Sequence, residues 1–275
     1  MKIIVCSLYI HDWYRKIVKY GKQSIEKYCA VNNLEFYSET EETVDGVYPG
    51  KEDVREIPWY KIKLISKLLQ SRPDAGYIIW NDADIMITNY DYKITDIISK
   101  YKQADIIVTK EHSNVLNTGT IIVRNTEFSK NMMQKIWDNS IPSRPDFHEQ
   151  SSFSDLYTQN TLNCQEHVHI IPNMSELFVY WWGYMPGSFQ VQITRCIYDI
   201  PGFIFTIDLF CSVRRDEDSD AEFRQRIKWL STIALCRKDL DDLREGTYKK
   251  ERNVRDIGYC HPPHKTVPQY YLGTI

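Results

Sequence analysis

Two aspartates one residue apart, Asp82 and Asp84, directly follow the run Tyr77-Ile78-Ile79-Trp80-Asn81. A short apolar run of that kind reads as a buried strand. In an α/β sheet, ligands gather beyond the carboxyl ends of strands. Two carboxylates at such an end can share a hard divalent cation, Mg²⁺ or Mn²⁺, that keeps open positions for phosphate oxygens. The chemistry that asks for this is loss of a diphosphate, whose charge must be neutralised as its bond to carbon breaks. A surface turn that happens to carry two acids is the competing explanation.

Two further stretches offer polar groups at the edges of expected elements. Asn117-Thr118-Gly119-Thr120 opens the apolar run Ile121-Ile122-Val123. Gly119 lets backbone approach a ligand closely, while Asn117 and Thr118 supply amide and hydroxyl partners. His148-Glu149-Gln150-Ser151-Ser152 leads a helix expected over 147–158. Taken singly, the first is also an ordinary turn before a strand. The second is also a helix start with a favourably placed acid.

These residues need a scaffold, and the hydrophobic pattern supplies one. Strands are expected at Ile3–Cys6, Leu34–Tyr37, Tyr77–Trp80, Ala104–Thr109, Thr118–Val123 and Val168–Ile171. Helices are expected over 14–32, from Pro58 with an inner stripe of Trp59, Ile62, Ile65 and Leu69, near 93–101, and over 126–138. Strands alternating with helices predict an α/β fold with a central, mostly parallel sheet. Residues 38–57 are polar and read as a long loop, a candidate lid. The tail from about 219 reads as solvated helix faces. With no repeat and no linker, one domain over 1–275 is expected, divided into halves 1–125 and 126–275.

Composition narrows the field. Lys plus Arg total 34 against 37 Asp plus Glu in 275 residues, a formal charge of −3. That balance gives no electrostatic footprint for nucleic acid or an anionic membrane. No run approaches the ~20 apolar residues of a membrane span, and the N-terminus lacks an export pattern, so a soluble, cytoplasmic chain is expected. The seven cysteines are odd in number, scattered and free of CxxC pairs, which reads as buried reduced thiols. Only Cys260-His261-Pro262-Pro263-His264 is locally clustered.

Taken in order, several stretches resemble the retaining glycosyltransferases that include plant xyloglucan α-xylosyltransferases and fungal Golgi α-galactosyl- and α-mannosyltransferases. They are Ser24–Cys29 with Glu35-Phe36-Tyr37, then Trp59–Ile65 with Lys67-Leu68-Leu69, and Trp80 with Asp82-Ala83-Asp84. Leu116–Gly119 with Val123-Arg124-Asn125 and Glu149-Gln150-Ser151 complete the set. The likeness spans roughly residues 1–155. It implies a nucleotide-sugar-binding (GT-A) fold. It also implies transfer from a nucleotide-diphosphate sugar, a UDP-sugar first of all, to a hydroxyl of a glycan or glycoprotein, assisted by Mn²⁺ or Mg²⁺. Position by position, it places Asp82 and Asp84 at the metal and Ser7 at the uridine. Lys61, Asn117 and Gly119 fall on the donor side. Glu149 and Gln150 face the anomeric carbon and the acceptor, with Glu149 standing where the family usually has Asp.

Two departures matter. Where the family supplies a metal-binding His, this chain reads Thr206-Ile207-Asp208, leaving Asp208, His261, His264 or water as third ligand. The family's membrane anchor and stem have no counterpart, which suggests a bacterial or viral type. The segment with Phe178, Tyr180, Trp181, Trp182 and Tyr184 offers aromatic faces for an acceptor sugar, Trp181 and Trp182 foremost; core packing is the alternative. Because Gln150 is a poor nucleophile, front-face displacement is favoured, with the departing diphosphate helping to deprotonate the acceptor. Two other classes stay open: a metal-dependent phosphohydrolase with Asp82 as nucleophile, and a catalytically silent sugar-binding protein on the same fold.

Overall fold

The computed structural model describes residues 1–9, 12–40, 57–110, 115–180 and 187–192, with 12–20 as backbone only. The chain runs β1 (Lys2–Tyr9), α1 (Asp12–Val31), β2 (Glu35–Thr40), α2 (Tyr60–Ser71), β3 (Ala75–Asn81), β4 (Ile85–Ile87), α3 (Ile94–Lys100), β5 (Ile106–Lys110) and β6 (Leu116–Arg124). It continues through α4 (Glu127–Asp138), α5 (His148–Thr158), α6 (Cys164–His167), β7 (Val168–Ile171), β8 (Val179–Tyr180) and β9 (Gln190–Gln192). Six strands form one sheet in the order β2-β1-β3-β6-β5-β7, and β4, β9 and β8 form a small second sheet.

Successive strand residues point to opposite faces, and here both faces are covered. Ile4, Cys6, Leu8, Ile78, Trp80, Ile121 and Val123 pack on one side with Ile62, Ile65 and Leu69 of α2, Met133 and Ile136 of α4, and Phe153 of α5. Ile3, Val5, Tyr77, Ile79 and Ile122 pack on the other with Ile25 and Tyr28 of α1, Ile97 and Ile98 of α3, and Phe178 and Phe189 near the small sheet. Two-sided burial explains why these strands read as continuous apolar runs. The expected α/β fold with a mostly parallel central sheet is present. The expected inner stripe of α2 is buried as a whole, from Trp59 to Leu69.

Two expectations need correction. β2 continues through Thr40, so the loop expected from 38 begins no earlier than 41; residues 41–56 lie outside the described ones. The strand expected at Thr118–Val123 is present but begins at Leu116, so Asn117 also lies within β6 rather than in a turn before it. That strand runs antiparallel to both its neighbours, β3 and β5. The small sheet was not anticipated, because strands of two or three residues are too short for alternation to register. No helix among the described residues is long and apolar enough to cross a membrane. Cys6, Cys29 and Cys164 are free and buried, and burial pushes the Cys6 thiol far up. The other four cysteines lie outside the described residues.

Candidate active site

The reversed direction of β6 builds the site. A strand antiparallel to β3 begins where β3 ends, so Asn117, Thr118 and Gly119 arrive beside the acidic turn. Asn81 is paired with Thr120, and the next step along the ladder is Asp82 N–H donating to Gly119 O at 2.7 Å. Sequence reading found both segments but not their juxtaposition.

Lys61 sits in the first turn of α2, only 4% exposed. Its Nζ lies 2.7 Å from Asp82 Oδ1 and 2.9 Å from Glu149 Oε1, and it donates to Thr118 O at 3.2 Å. Burial alone would lower the Lys61 pKa, but the charges of Asp82 and Glu149 outweigh that and raise it. The ammonium therefore stays charged. Asp82 Oδ1 also accepts from Trp80 Nε1 at 2.6 Å, so one carboxylate oxygen is held by an indole and an ammonium.

Glu149 and Gln150 open α5 and both bind Thr118. The Thr118 hydroxyl donates to Glu149 Oε1 at 2.7 Å, and its backbone N–H donates to Gln150 Oε1 at 2.9 Å. Glu149 is 1% exposed; it faces Lys61 and the sheet. His148, just before it, has φ +48 and ψ −129, a left-handed backbone that favours glycine and marks strain at the head of this helix. Asn117 Oδ1 accepts from Gly119 N–H at 2.7 Å, and Asn117 Nδ2 donates to Tyr180 OH at 3.3 Å. Ser7 is fully buried and donates its hydroxyl to Asn81 O at 2.8 Å. Its side chain braces the end of β3 rather than standing open to a base.

Asp84 follows in the turn before β4. Burial of its carboxyl, reinforced by the nearby charge of Asp82, raises its pKa to about 7, against the pull of Gln192 and Lys61. A carboxylate so short of compensating charge suits a divalent cation, and Asp82 and Asp84 are both hard oxygen donors. Among the described residues, no group of three His, Cys, Asp or Glu side chains forms a metal set.

Residues that sequence reasoning missed come from β9. Gln192 Nε2 lies 3.5 Å from Asp84 Oδ1. Gln190 Nε2 donates to the Thr120 hydroxyl at 2.7 Å, which donates to Asn81 Oδ1 at 3.0 Å. The polar-apolar-polar order of Gln190-Val191-Gln192 was the available signal. Phe178 and Tyr180, expected on an acceptor platform, are buried in the core; their rings pack edge to face, with centroids 5.7 Å apart. Trp181, Trp182, Tyr184, Asp208, His261 and His264 lie outside the described residues.

The fold that the resemblance implies is that of a glycosyltransferase, and known proteins of that class are similar to this chain. Residues 11–113 match the galactosyl transferase GMA12/MNN10 family, which is the family the sequence pattern resembled. An alpha-1,2-galactosyltransferase of Schizosaccharomyces pombe is 21% identical over 52% of this chain and 47% of its own length. Xyloglucan 6-xylosyltransferase 1 of Arabidopsis thaliana is 27% identical over 46% of this chain and 27% of its own. The chain thus spans about half, or less, of these relatives. The crystal structure of a glycosyltransferase involved in the glycosylation of the major capsid of PBCV-1 superposes with a TM-score of 0.58 and 17% identity. That match covers 76% of this chain and all of the other. It shows a shared fold. Family and relatives are glycosyltransferases, the class of enzyme expected.

Proposed function

We propose that this protein is a retaining glycosyltransferase that moves a sugar from a nucleotide-diphosphate donor, a UDP-sugar, to a glycan hydroxyl. The observation that carries the reading is the Asp82–Lys61–Glu149 cluster at the end of β3, with Asp84 beside it. It puts carboxylates for a cation and a buried ammonium ion-paired to two of them within one small volume. Asp82 and Asp84 would hold Mn²⁺ or Mg²⁺. When bound, such an ion supplies electrostatic stabilisation of a departing diphosphate.

The chain's own residues do the rest. Lys61 holds Asp82 in place and adds fixed positive charge where negative charge develops; preorganised charge of this kind is often the largest catalytic contribution. Glu149 keeps Lys61 charged and oriented. Gln150 is held by the Thr118 amide, and a carboxamide oxygen already engaged is a weak nucleophile, which favours front-face displacement over a covalent intermediate. Gly119 leaves room over β6 for the Gln192 carboxamide, Asn117 holds the Gly119 amide, and Ser7 fixes Asn81 behind them. Trp181 and Trp182 are proposed acceptor contacts; Ala at either should raise acceptor KM more than donor KM.

The test is a thermal-shift screen of nucleotide sugars with and without Mn²⁺, since ligands that bind only the native state raise its apparent stability. A shift specific to UDP-sugars with Mn²⁺, and turnover lost in Asp84→Ala, are the expected results. Near-normal transfer by Asp84→Ala would remove this turn from the reaction. Phosphate release from sugar phosphates without transfer would favour a phosphohydrolase instead.

A further inference from the structure

β9 lays Gln192 against the acidic turn with its bonding incomplete. The residue is only 6% exposed. Its Nε2 stands 3.5 Å from Asp84 Oδ1, the outer limit of a hydrogen bond. Its Oε1 is buried and accepts from no described residue. A buried acceptor left unpaired has given up its hydration with no bond in return, so its persistence asks for a partner. The amide lies flat on Gly119: a β-carbon there would sit 2.8 Å from Nε2 and 2.9 Å from Oε1.

The strand presents this group firmly. Gln190, two residues earlier and therefore on the same face, ties β9 through Thr120 to Asn81, one residue before Asp82. The free oxygen of a carboxamide is a hard, neutral donor of the type used around divalent ions. Its N and O ends exchange by a half-turn about one bond, so either end can face Asp84.

We propose that Gln192 Oε1 is a third protein oxygen of the cation site, joining Asp82 and Asp84. This rests on the metal-assisted reading above. It supplies a neutral donor in a chain that has Ile207 where the resembled family has its histidine.

Titration of Mn²⁺ alone into the full chain, followed by calorimetry or by the electron paramagnetic resonance of free Mn²⁺, tests it without turnover. Gln192→Leu should weaken Mn²⁺ binding about tenfold or more, and Gln192→Glu, which keeps an oxygen and adds charge, should bind at least as tightly as the parent. Parental affinity in Gln192→Leu overturns the proposal, as does equal weakening in both variants, which would mean that the side chain only packs. Metal-free melting of each variant separates loss of fold from loss of a ligand. Parental Mn²⁺ affinity in Asp84→Asn would instead remove the cation reading itself, so the two failures are told apart.

Discussion

Lys61 on α2 and Glu149 on α5 meet at 2.9 Å, with side-chain exposures of 5% and 1%. A buried ion pair contributes little net stability because desolvation offsets attraction, but removing one partner leaves a stranded charge. Lys61→Met should therefore cost about 3–5 kcal/mol by chemical denaturation. Glu149→Gln in the same chain should recover a substantial part. A loss under about 1 kcal/mol in Lys61→Met would show that water reaches these groups. Arg at this position should also fail, since its planar fork does not substitute for a compact ammonium.

Asp84 makes stability depend on pH in a definite direction. Its folded-state pKa of about 7 lies above the ordinary 3.8. The folded chain thus takes up the extra proton, and the stability this confers is complete below pH 4 and lost as pH rises through 7. Metal-free Asp84→Asn should exceed the parent in stability at pH 8, by on the order of 1–3 kcal/mol, or about 2–4 °C in Tm for each kcal/mol. The advantage should shrink toward pH 4. Equal pH profiles for the two proteins would contradict a desolvated carboxyl here.

Gly119 and Gln192 are in steric register, so their substitutions should not add. Gly119→Ala drives its β-carbon onto the far end of the Gln192 side chain, which can yield in part, and should cost about 1 kcal/mol. Gln192→Ala in the same chain should relieve at least half of that. Additive losses in the double-mutant cycle would mean that the two residues do not touch.

Gly21 shows where local rules mislead. Glycine inside a helix is about 0.5–1 kcal/mol worse than alanine, so Gly21→Ala in α1 should stabilise on propensity alone. Its β-carbon would stand 2.9 Å from Ile85 O and 3.1 Å from Ala83 O, backbone atoms that cannot swing aside. We expect net destabilisation of about 1–3 kcal/mol, with weaker Mn²⁺ binding because Ala83 lies between the two aspartates. A raised Tm would place α1 farther from the turn.

Hydrophobic order alone determined the layers of this protein. The apolar runs at β1, β3, β5 and β6 and the stripe of α2 require a sheet buried on both faces, and the acidic pair follows β3 whatever the topology. Local sequence also marked Asn117, Gly119, Glu149 and Gln150 as polar groups at the edges of elements, and the resemblance added Lys61. Tertiary structure decided which of them meet. Strand direction is not encoded in a strand's own residues, since an apolar run is the same read either way; only packing turned β6 antiparallel and brought Thr118 within hydrogen-bonding distance of both Lys61 and Glu149. The same holds for β9, too short to announce itself, whose pairing with β4 sets Gln192 beside Asp84. Burial of charge is likewise a property of the assembled fold: Lys61 reads as an exposed helix lysine until α5 and β6 close over it.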